Sequence, residues 1–162
     1  MNLAPIPQNE EARICAVQGL KILDTESEER YNVLTKEATA RFTVPISTIT
    51  IIDKDREWFK SAQGLSKKEG PRDISFCGHA LMSEVILIIE DTLADSRFFD
   101  NPMVTGEPYI RFYAGKSLYD RRSSLPVGVF CIKDIKPRKF SLKDIDDFLY
   151  IAQRVEDEIN KN

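Results

Sequence analysis

The sequence predicts an α+β domain with a central antiparallel sheet of five or six strands, helices on one face and long ligand-pocket loops on the other. Three observations predict this fold class. Apolar positions follow a helical period near both ends of the chain, short β-branched or alternating runs lie between them, and turn-forming residues separate those runs. A chain of 162 residues is one domain's worth of sequence. We therefore expect a single folded unit with the two-layer arrangement typical of α+β proteins.

Composition and charge exclude several classes of function. The formal charge is −3 and no basic run occurs, so a nucleic-acid partner is not expected. The longest unbroken aliphatic run, Val85 to Ile89, is far shorter than the ~20 residues that span a bilayer. Met1 to Glu11 lacks the basic start and apolar centre of a secretory leader. We expect a cytoplasmic protein with no membrane partner.

The cysteines and the histidine narrow the chemistry further. Cys15, Cys77 and Cys131 are widely spaced and cannot all pair, which fits a reducing compartment rather than a disulfide scaffold or a zinc ribbon. His79 is the single histidine, so catalytic zinc sites built on two or three imidazoles are excluded. The scattered glycines form no phosphate-binding loop. Neither a metal site nor nucleotide hydrolysis is predicted.

Two helices are predicted before the first strand. Apolar residues from Asn9 to Leu23 keep helical spacing, and Asn9 can cap the exposed amides. For the second helix, Thr25 and Glu28 have the spacing of a capping box. Its apolar stripe consists of Tyr31, Leu34, Ala38 and Phe42. This helix must end just before Pro45, which disfavours helical geometry in the residue that precedes it.

A β-hairpin is predicted next. Ile46 to Ile52 is almost wholly β-branched, Asp53 to Arg56 is typical of a solvated polar turn, and Glu57 to Ala62 carries two aromatic residues. Two such runs joined by a polar turn favour two strands that pair through the turn.

The middle of the chain combines short elements with a long connection. Ser75 can cap a short helix over Phe76 to Ser83, and Val85 to Ile89 is typical of a short buried strand. Glu90 to Pro108 is rich in residues that favour turns. Connections of this length in a compact domain are more often functional than idle.

The last two predicted strands are Tyr109 to Leu118 and Pro126 to Asp134. The first of them alternates: one face carries Ile110, Phe112 and Ala114, and the other carries Arg111 and Tyr113. One side should therefore meet apolar neighbours while the other presents a guanidinium and a phenol.

The closing helix begins at Ser141, with Asp144 in capping-box spacing. Its apolar stripe consists of Ile145, Phe148, Ala152, Val155 and Ile159. The spacing of three and four matches a heptad seam, so we expect a homodimer through the terminal helices. Ile159 should then be exposed in a single chain and covered in the dimer. Packing of the same stripe in the chain's own core is the alternative.

Cys77, Gly78 and His79 form the densest chemical cluster, in the first turn of the predicted short helix. The unpaired amides there favour a thiolate, so a reactive Cys77 is one interpretation. A small buried hydrophobe is the other. A Cys–His nucleophilic pair is not expected, because residues two apart on a helix point in divergent directions. His79 is interpreted as a hydrogen-bonded pocket residue rather than a metal ligand.

Arg111 and Tyr113 could together hold an anionic or planar ligand, Arg111 through its fork of donors and Tyr113 by stacking. The alternative is that Arg111 pairs with Asp95 or Asp73 and ties the long connection to the sheet.

Four segments closely resemble GAF domains, in particular the bacterial group found upstream of histidine kinases and cyclic-di-GMP synthases. They are residues 20–25 (LKILDT), 71–80 (PRDISFCGHA), 95–102 (DSRFFDNP) and 110–115 (IRFYAG). Pro137 and Arg138, ahead of the last helix, fit the same group. The resemblance runs from about Asn9 to Ile159, so we expect residues 1–162 to form a single GAF-like sensor domain.

The resemblance implies a non-enzymatic, small-molecule-binding sensory domain of bacterial signal transduction. It would signal through its terminal helices to a partner or output domain such as a histidine kinase or a cyclic-di-GMP synthase. The ligand-binding residues expected in the pocket are Arg72, Asp73, Phe76, Cys77, His79, Asp95, Phe98, Asn101, Arg111 and Tyr113. Fold-level likeness names neither the ligand nor a cofactor.

An enzymatic alternative exists in the same family, the free methionine-(R)-sulfoxide reductase. Cys77 lies in a Phe-Cys-Gly context that resembles the Val-Cys-Gly context of that enzyme's catalytic cysteine. The resemblance also implies a cysteine ahead of Arg72, where this chain has Glu69-Gly70-Pro71. Without a resolving thiol, a sulfenate cannot be released as a local disulfide. Cys15 and Cys131, predicted in the interiors of a helix and a strand, are not expected to substitute.

Overall fold

A computed structural model describes all 162 residues of the chain. The helices are α1 (Glu10–Leu20), α2 (Glu29–Phe42), α3 (Phe76–Ala80), α4 (Pro102–Thr105) and α5 (Leu142–Ile159). The strands are β1 (Ile46–Ile52), β2 (Arg56–Gln63), β3 (Glu69–Pro71), β4 (Leu87–Ile89), β5 (Phe112–Asp120) and β6 (Leu125–Asp134). A single 3₁₀ turn covers Thr92–Ala94. No helix is both long enough and apolar enough to cross a membrane.

The six strands form one sheet in the order β3-β2-β1-β6-β5-β4, and every neighbouring pair is antiparallel. The predicted α+β fold is thereby confirmed. β1 lies near the centre of the sheet and is buried along its whole length. Layers cover it on both faces, which explains why its sequence is an almost unbroken β-branched run.

Helices α1, α2 and α5 cover one face of the sheet and enclose the larger of two apolar cores. The predicted stripe of α2 lies in this core. The stripe of α5 does too: Phe148, Val155 and Ile159 are 0% exposed in the single chain. The expectation that Ile159 would be exposed in a single chain is therefore wrong, and this stripe is not available as a dimer seam. The helix packs flat on the sheet, and a core-facing stripe has the same spacing of three and four as a heptad.

The helix caps differ in part from the sequence predictions. At α5 the capping box is confirmed, with Ser141 Oγ accepting from Asp144 N at 3.1 Å and the Asp144 carboxylate accepting from Ser141 N at 2.9 Å. The capping box at Thr25 and Glu28 is wrong, because the buried Lys60 ammonium donates to the Thr25 hydroxyl at 2.7 Å and pairs with the Glu28 carboxylate at 2.7 Å. The Asn9 side chain makes no capping hydrogen bond at α1.

The start of β5 also differs from its prediction. Phe112 and Ala114 face the helix-side core as expected, but Ile110 lies in the second apolar core with Tyr113. The strand begins only at Phe112, after a connection in which Tyr109 has a positive φ of 58°. Residues ahead of that point do not follow the strand's alternation.

The opposite face of the sheet carries α3, α4 and the N-terminal segment, residues 1–7. We call it the loop face. The Met1 ammonium pairs with Asp100 at 2.8 Å, and Ala4 N donates to the Asp73 carbonyl at 2.8 Å. The N-terminal segment therefore runs over α3 and the connection that follows β4 before it leads into α1, which packs on the other face.

Candidate functional site

Three strands supply the floor of the loop face. Alternate residues of β1, β2 and β6 point toward it, and β5 adds a buried tyrosine. These residues are Thr48, Thr50, Ile52, Glu57, Phe59, Val129, Cys131, Lys133 and Tyr113. The floor is unusual because it combines a thiol, three hydroxyls, a carboxyl group and an ammonium group in a buried layer.

Helix α3 closes one half of this floor. Ser75 caps it as predicted, with Oγ accepting from Gly78 N at 2.8 Å. The Phe76 ring stacks between Phe98 and Tyr113, with centroid distances of 4.5 and 5.1 Å. A Cβ added at Gly78 would lie only 2.7 Å from the Ala4 Cβ. The aromatic stack and the tight backbone approach leave no room for a ligand beneath α3.

Three of the predicted site residues connect backbone segments. Arg72 is buried, pairs with Glu10 of α1, and donates to the Asp53 carbonyl at 3.1 Å. Asn101 is buried as well, donating to the Ile74 carbonyl and accepting from Met103 N, both at 2.9 Å. Asp73 is exposed, and its carbonyl receives the hydrogen bond from Ala4.

Three further predicted residues form local polar contacts. Arg111 pairs with Asp91 at 3.1 Å, and not with Asp95 or Asp73. Asp95 pairs with Arg97 at 2.7 Å, and the guanidinium lowers the pKa of that carboxyl group. His79 Nε2 lies 3.1 Å from the Asn2 carbonyl, and burial lowers the pKa of the imidazole. No cluster of three His, Cys, Asp or Glu residues suited to a metal ion is present.

The structure thus brings four of the ten predicted residues into one packed cluster, namely Phe76, Cys77, Phe98 and Tyr113. It spreads the other six around that cluster. An open cavity lies beside the cluster, and none of the ten residues lines it.

This cavity has a volume of about 480 Å³ and lies between the β2–β3 edge of the sheet and the connection from α4 to β5. Its walls combine apolar side chains, a few exposed charges at the mouth, and two buried charged residues. The lining residues are Glu57, Phe59, Gly64, Leu65, Ser66, Lys67, Glu69, Gly70, Pro71, Ile74, Pro102, Met103, Glu107, Pro108, Ile110 and Lys133. The volume lies within the range of small-molecule sites.

Glu57 and Lys133 are the buried polar groups of the cavity, 3% and 2% exposed respectively. Glu57 Oε1 has no hydrogen-bond partner, and burial raises the pKa of Glu57 to about 8 although Lys133 opposes the shift. For Lys133 burial lowers the pKa, but the Cys131 and Glu57 side chains outweigh it and raise the pKa overall. Neither residue was predicted from the sequence. The signal available was a charged residue directly beside a large apolar one, Glu57 before Trp58 and Lys133 after Ile132.

The two thiols lie next to each other across the α3–sheet contact. Cys77 Sγ accepts from the Tyr113 hydroxyl at 3.3 Å and lies 3.8 Å from Thr50 Oγ1, which contacts Thr48 Oγ1 at 2.7 Å. Thr48 Oγ1 in turn lies 3.0 Å from Cys131 Sγ. Burial, with Cys131 adding to it, raises the pKa of Cys77 well above its ordinary value. Of the two interpretations of Cys77, its complete burial favours the small buried hydrophobe over the thiolate, because desolvation outweighs the helix dipole.

Comparison with known proteins adds one sequence relative. No protein-family model matches the chain. The chain is 38% identical over 138 residues to the cyclic di-GMP phosphodiesterase PA2567 of Pseudomonas aeruginosa. The match covers 85% of this chain but only 23% of that protein, so the chain spans about a quarter of its relative's length.

Solved structures resemble the chain over nearly its whole length. The GAF domain of a phosphoenolpyruvate-protein phosphotransferase from Coxiella burnetii has a TM-score of 0.67 at 12% identity, covering 94% of this chain and 95% of that one. A type II free methionine-R-sulfoxide reductase from Thermoplasma acidophilum has a TM-score of 0.66 at 11% identity, covering 90% and 96%. At these identities the likeness concerns the fold alone. The chain therefore has the fold of a GAF domain.

Proposed function

We propose that this chain is a non-enzymatic sensory domain that binds a small molecule in the cavity between the β2–β3 edge and the α4–β5 connection. The observation that carries the proposal is a cavity of about 480 Å³ with two buried polar groups in an otherwise largely apolar inner wall. A concave apolar site with a few convergent polar groups is the usual form of a ligand site. The ten residues expected from the sequence would then support the site from behind, through the packing of α3, rather than contact the ligand.

The signalling context is proposed from the sequence relative. A segment 38% identical to this chain forms part of a protein named as a cyclic di-GMP phosphodiesterase. We propose that the chain regulates cyclic di-GMP turnover in response to its ligand. A histidine kinase or cyclic-di-GMP synthase as output partner, a cytoplasmic location and a homodimer remain predictions from the sequence. A dimer formed through the terminal helices would use the outward faces of α1 and α5, because the inward stripe of α5 is buried.

The route from the cavity to a terminal helix would run through Arg72. Pro71 lines the cavity, and the next residue, Arg72, pairs with Glu10 at the start of α1. Glu10 also holds Arg13 at 2.5 Å, and Arg13 reaches the Pro126 carbonyl on β6 at 3.5 Å. Ligand contact at Pro71 is thus one ion pair, Arg72–Glu10, away from the first turn of α1.

The binding proposal can be tested with a cavity-filling variant. Met103→Trp places an indole in the cavity, whereas Leu142→Trp places one on the surface, where Leu142 is 81% exposed. A thermal-shift screen of bacterial metabolites should give compounds that raise the Tm of the wild type and of L142W but not of M103W. If no compound behaves in this way, the proposal is wrong.

A thiol-dependent reductase is the second candidate, favoured by one observation that the sequence did not predict: Cys131 lies beside Cys77. Reduction of a sulfoxide would convert the two thiols to a disulfide, and the sulfoxide oxygen would leave as water with two protons. An external dithiol would restore the thiols. Against this candidate, both sulfur-bearing residues are 0% exposed and neither lines the cavity.

An activity assay separates the two candidates. Free methionine-(R)-sulfoxide with dithiothreitol should give no turnover with the wild type beyond the level of the Cys77→Ser variant. Turnover that is lost in C77S and reduced in C131S would instead identify the chain as a reductase.

A further inference from the structure

Lys133 carries a buried ammonium group for which the fold provides no partner. The side chain makes no hydrogen bond or ion pair within the chain. Its Nζ lies 6.0 Å from the centre of the Tyr113 ring, and the Cys131 and Glu57 side chains are close enough to raise its pKa. Lys133 lines the cavity. A buried ammonium group without partners is costly, and such groups are normally paired or hydrogen-bonded.

Lys60 shows what a structurally satisfied lysine looks like in the same protein. It is as buried as Lys133, at 3% against 2% exposed. Its ammonium group donates to the Thr25 hydroxyl at 2.7 Å and to the Glu26 carbonyl at 2.5 Å, and it pairs with Glu28 at 2.7 Å. All three donors of Lys60 are used, whereas all three donors of Lys133 are free.

Glu57 completes the recognition surface. Its side chain lies on the same face of the sheet as Lys133, its Oε1 atom lacks a partner, and it lines the same cavity. A Cβ at position 70 would lie in ordinary van der Waals contact with Glu57 Oε2, at 3.4 Å, so this oxygen lies on the Gly70 side of the cavity. Two unpartnered polar groups on separate strands therefore face one cavity.

We propose that Lys133 binds the carboxylate group of a small organic acid whose apolar body fills the rest of the cavity toward Glu57. The ligand carboxylate accepts hydrogen bonds from the Lys133 ammonium group, and Glu57, near the other end of β1, offers the ligand a separate polar contact. This inference rests on the proposed function and names the chemical class of its ligand.

The remaining walls favour this class over other anions and over cations. Phe59, Ile74, Met103 and Ile110 supply apolar surface around the two polar groups. A phosphate group carries more acceptor atoms and charge than one ammonium and one carboxyl group can satisfy. A cationic ligand would be repelled by Lys133.

A matched pair of probes tests the proposal. Phenylacetate and phenylacetamide have the same shape, but only the first carries a charge at pH 7. Titration of each into the ¹⁵N-labelled chain should shift the amide signals of Gly70, Met103 and Ile110, with phenylacetate binding at least ~10-fold more tightly. Equal affinity for the two probes, or no binding of phenylacetate, would overturn the proposal.

Variants of Lys133 and Glu57 test whether these residues cause the preference for phenylacetate over phenylacetamide. Lys133→Met should reduce the ratio of the two affinities to about one, whereas Lys136→Met, at an exposed position outside the cavity, should leave the ratio unchanged. Glu57→Gln keeps a donor and should retain most of the phenylacetate affinity, and Glu57→Leu should lose several-fold. A preference for phenylacetate that survives in a folded K133M protein would also contradict the proposal.

The failure of this proposal is distinguishable from the failure of the proposed function. If neutral compounds stabilise the wild type but not M103W, the proposed ligand-binding cavity stands and the carboxylate assignment is refuted. The absence of any cavity-dependent compound would refute both.

Discussion

Lys60 and Lys133 are both buried but differ in their partners, so truncating each should have opposite consequences for stability. Lys60→Met removes three satisfied donors and leaves the Glu26 carbonyl and Thr25 hydroxyl without them, which should cost about 1–3 kcal/mol of unfolding free energy. Lys133→Met removes an unpaired buried ammonium and should leave stability unchanged or raise it. Urea denaturation of the two variants measures the difference. A K133M protein that loses as much as K60M would contradict this account.

Glu57 should make the folded chain less stable as the pH rises. Burial raises the pKa of Glu57 from 4.5 to about 8, so between these values the folded state holds a proton that the unfolded state releases. The contribution is fully present below pH 4.5 and is lost as the pH rises through about 8. Lys133 on β6 and Cys77 on α3 are the charged and titratable groups that shift it, and Tyr113 and Cys131 lie within range of its charge.

The Glu57→Gln variant isolates this contribution. The difference in unfolding free energy between wild type and E57Q should change by several kcal/mol, on the order of 5, across that pH range. Glu69→Gln, at an exposed position on β3, serves as the control and should follow the wild type. A pH dependence of E57Q identical to that of the wild type would show that Glu57 is ionised in the fold.

At the scale of elements, α3 should be sensitive to any added side-chain volume at Gly78. A Cβ there would lie 2.7 Å from the Ala4 Cβ and 2.9 Å from the Arg72 carbonyl oxygen. Gly78→Ala should therefore cost about 1–3 kcal/mol, because the N-terminal segment has to shift away from α3. Gly19→Ala in α1 meets nothing within 4 Å and should gain up to about 1 kcal/mol. Thermal unfolding of both variants tests the contrast.

The secondary structure was largely predictable from the sequence because its signals are local. The hairpin of β1 and β2, the Ser75 cap of α3 and the capping box of α5 depend on residues within a few positions of one another. Two of the predictions that were wrong involve distant partners. Thr25 and Glu28 are engaged by Lys60 from β2, and the α5 stripe packs on the sheet rather than on a second chain.

The cavity could not be predicted because it depends on strand register. On β2, Glu57 lies opposite Ile52 at one end of β1. On β6, which pairs with the other edge of β1, Lys133 lies opposite Ile46 at the other end. Only the folded sheet shows that both side chains face one space. The motifs that identified the fold lie in α3 and the connections around it, and these pack into a solid cluster next to the cavity.

At the scale of the whole molecule, the Glu10–Arg72 pair should couple the cavity to α1. A compound that binds the cavity should slow amide hydrogen exchange in β2 and also in the first turn of α1. In Glu10→Gln the protection of β2 should persist while that of α1 disappears. Hydrogen exchange followed by mass spectrometry distinguishes the two segments. If α1 responds equally in both proteins, Arg72 is not the connection.

The central claim is that the loop face of this GAF fold holds a small-molecule site at the Glu57–Lys133 cavity. A small-molecule screen observed by amide correlation spectra of the ¹⁵N-labelled chain tests it most directly, because each binding compound reports its own location. We predict compounds that shift Gly70, Met103 and Ile110 in the wild type and lose these shifts in M103W. Compounds that bind only elsewhere, or a screen without any cavity-directed binding, would contradict the claim.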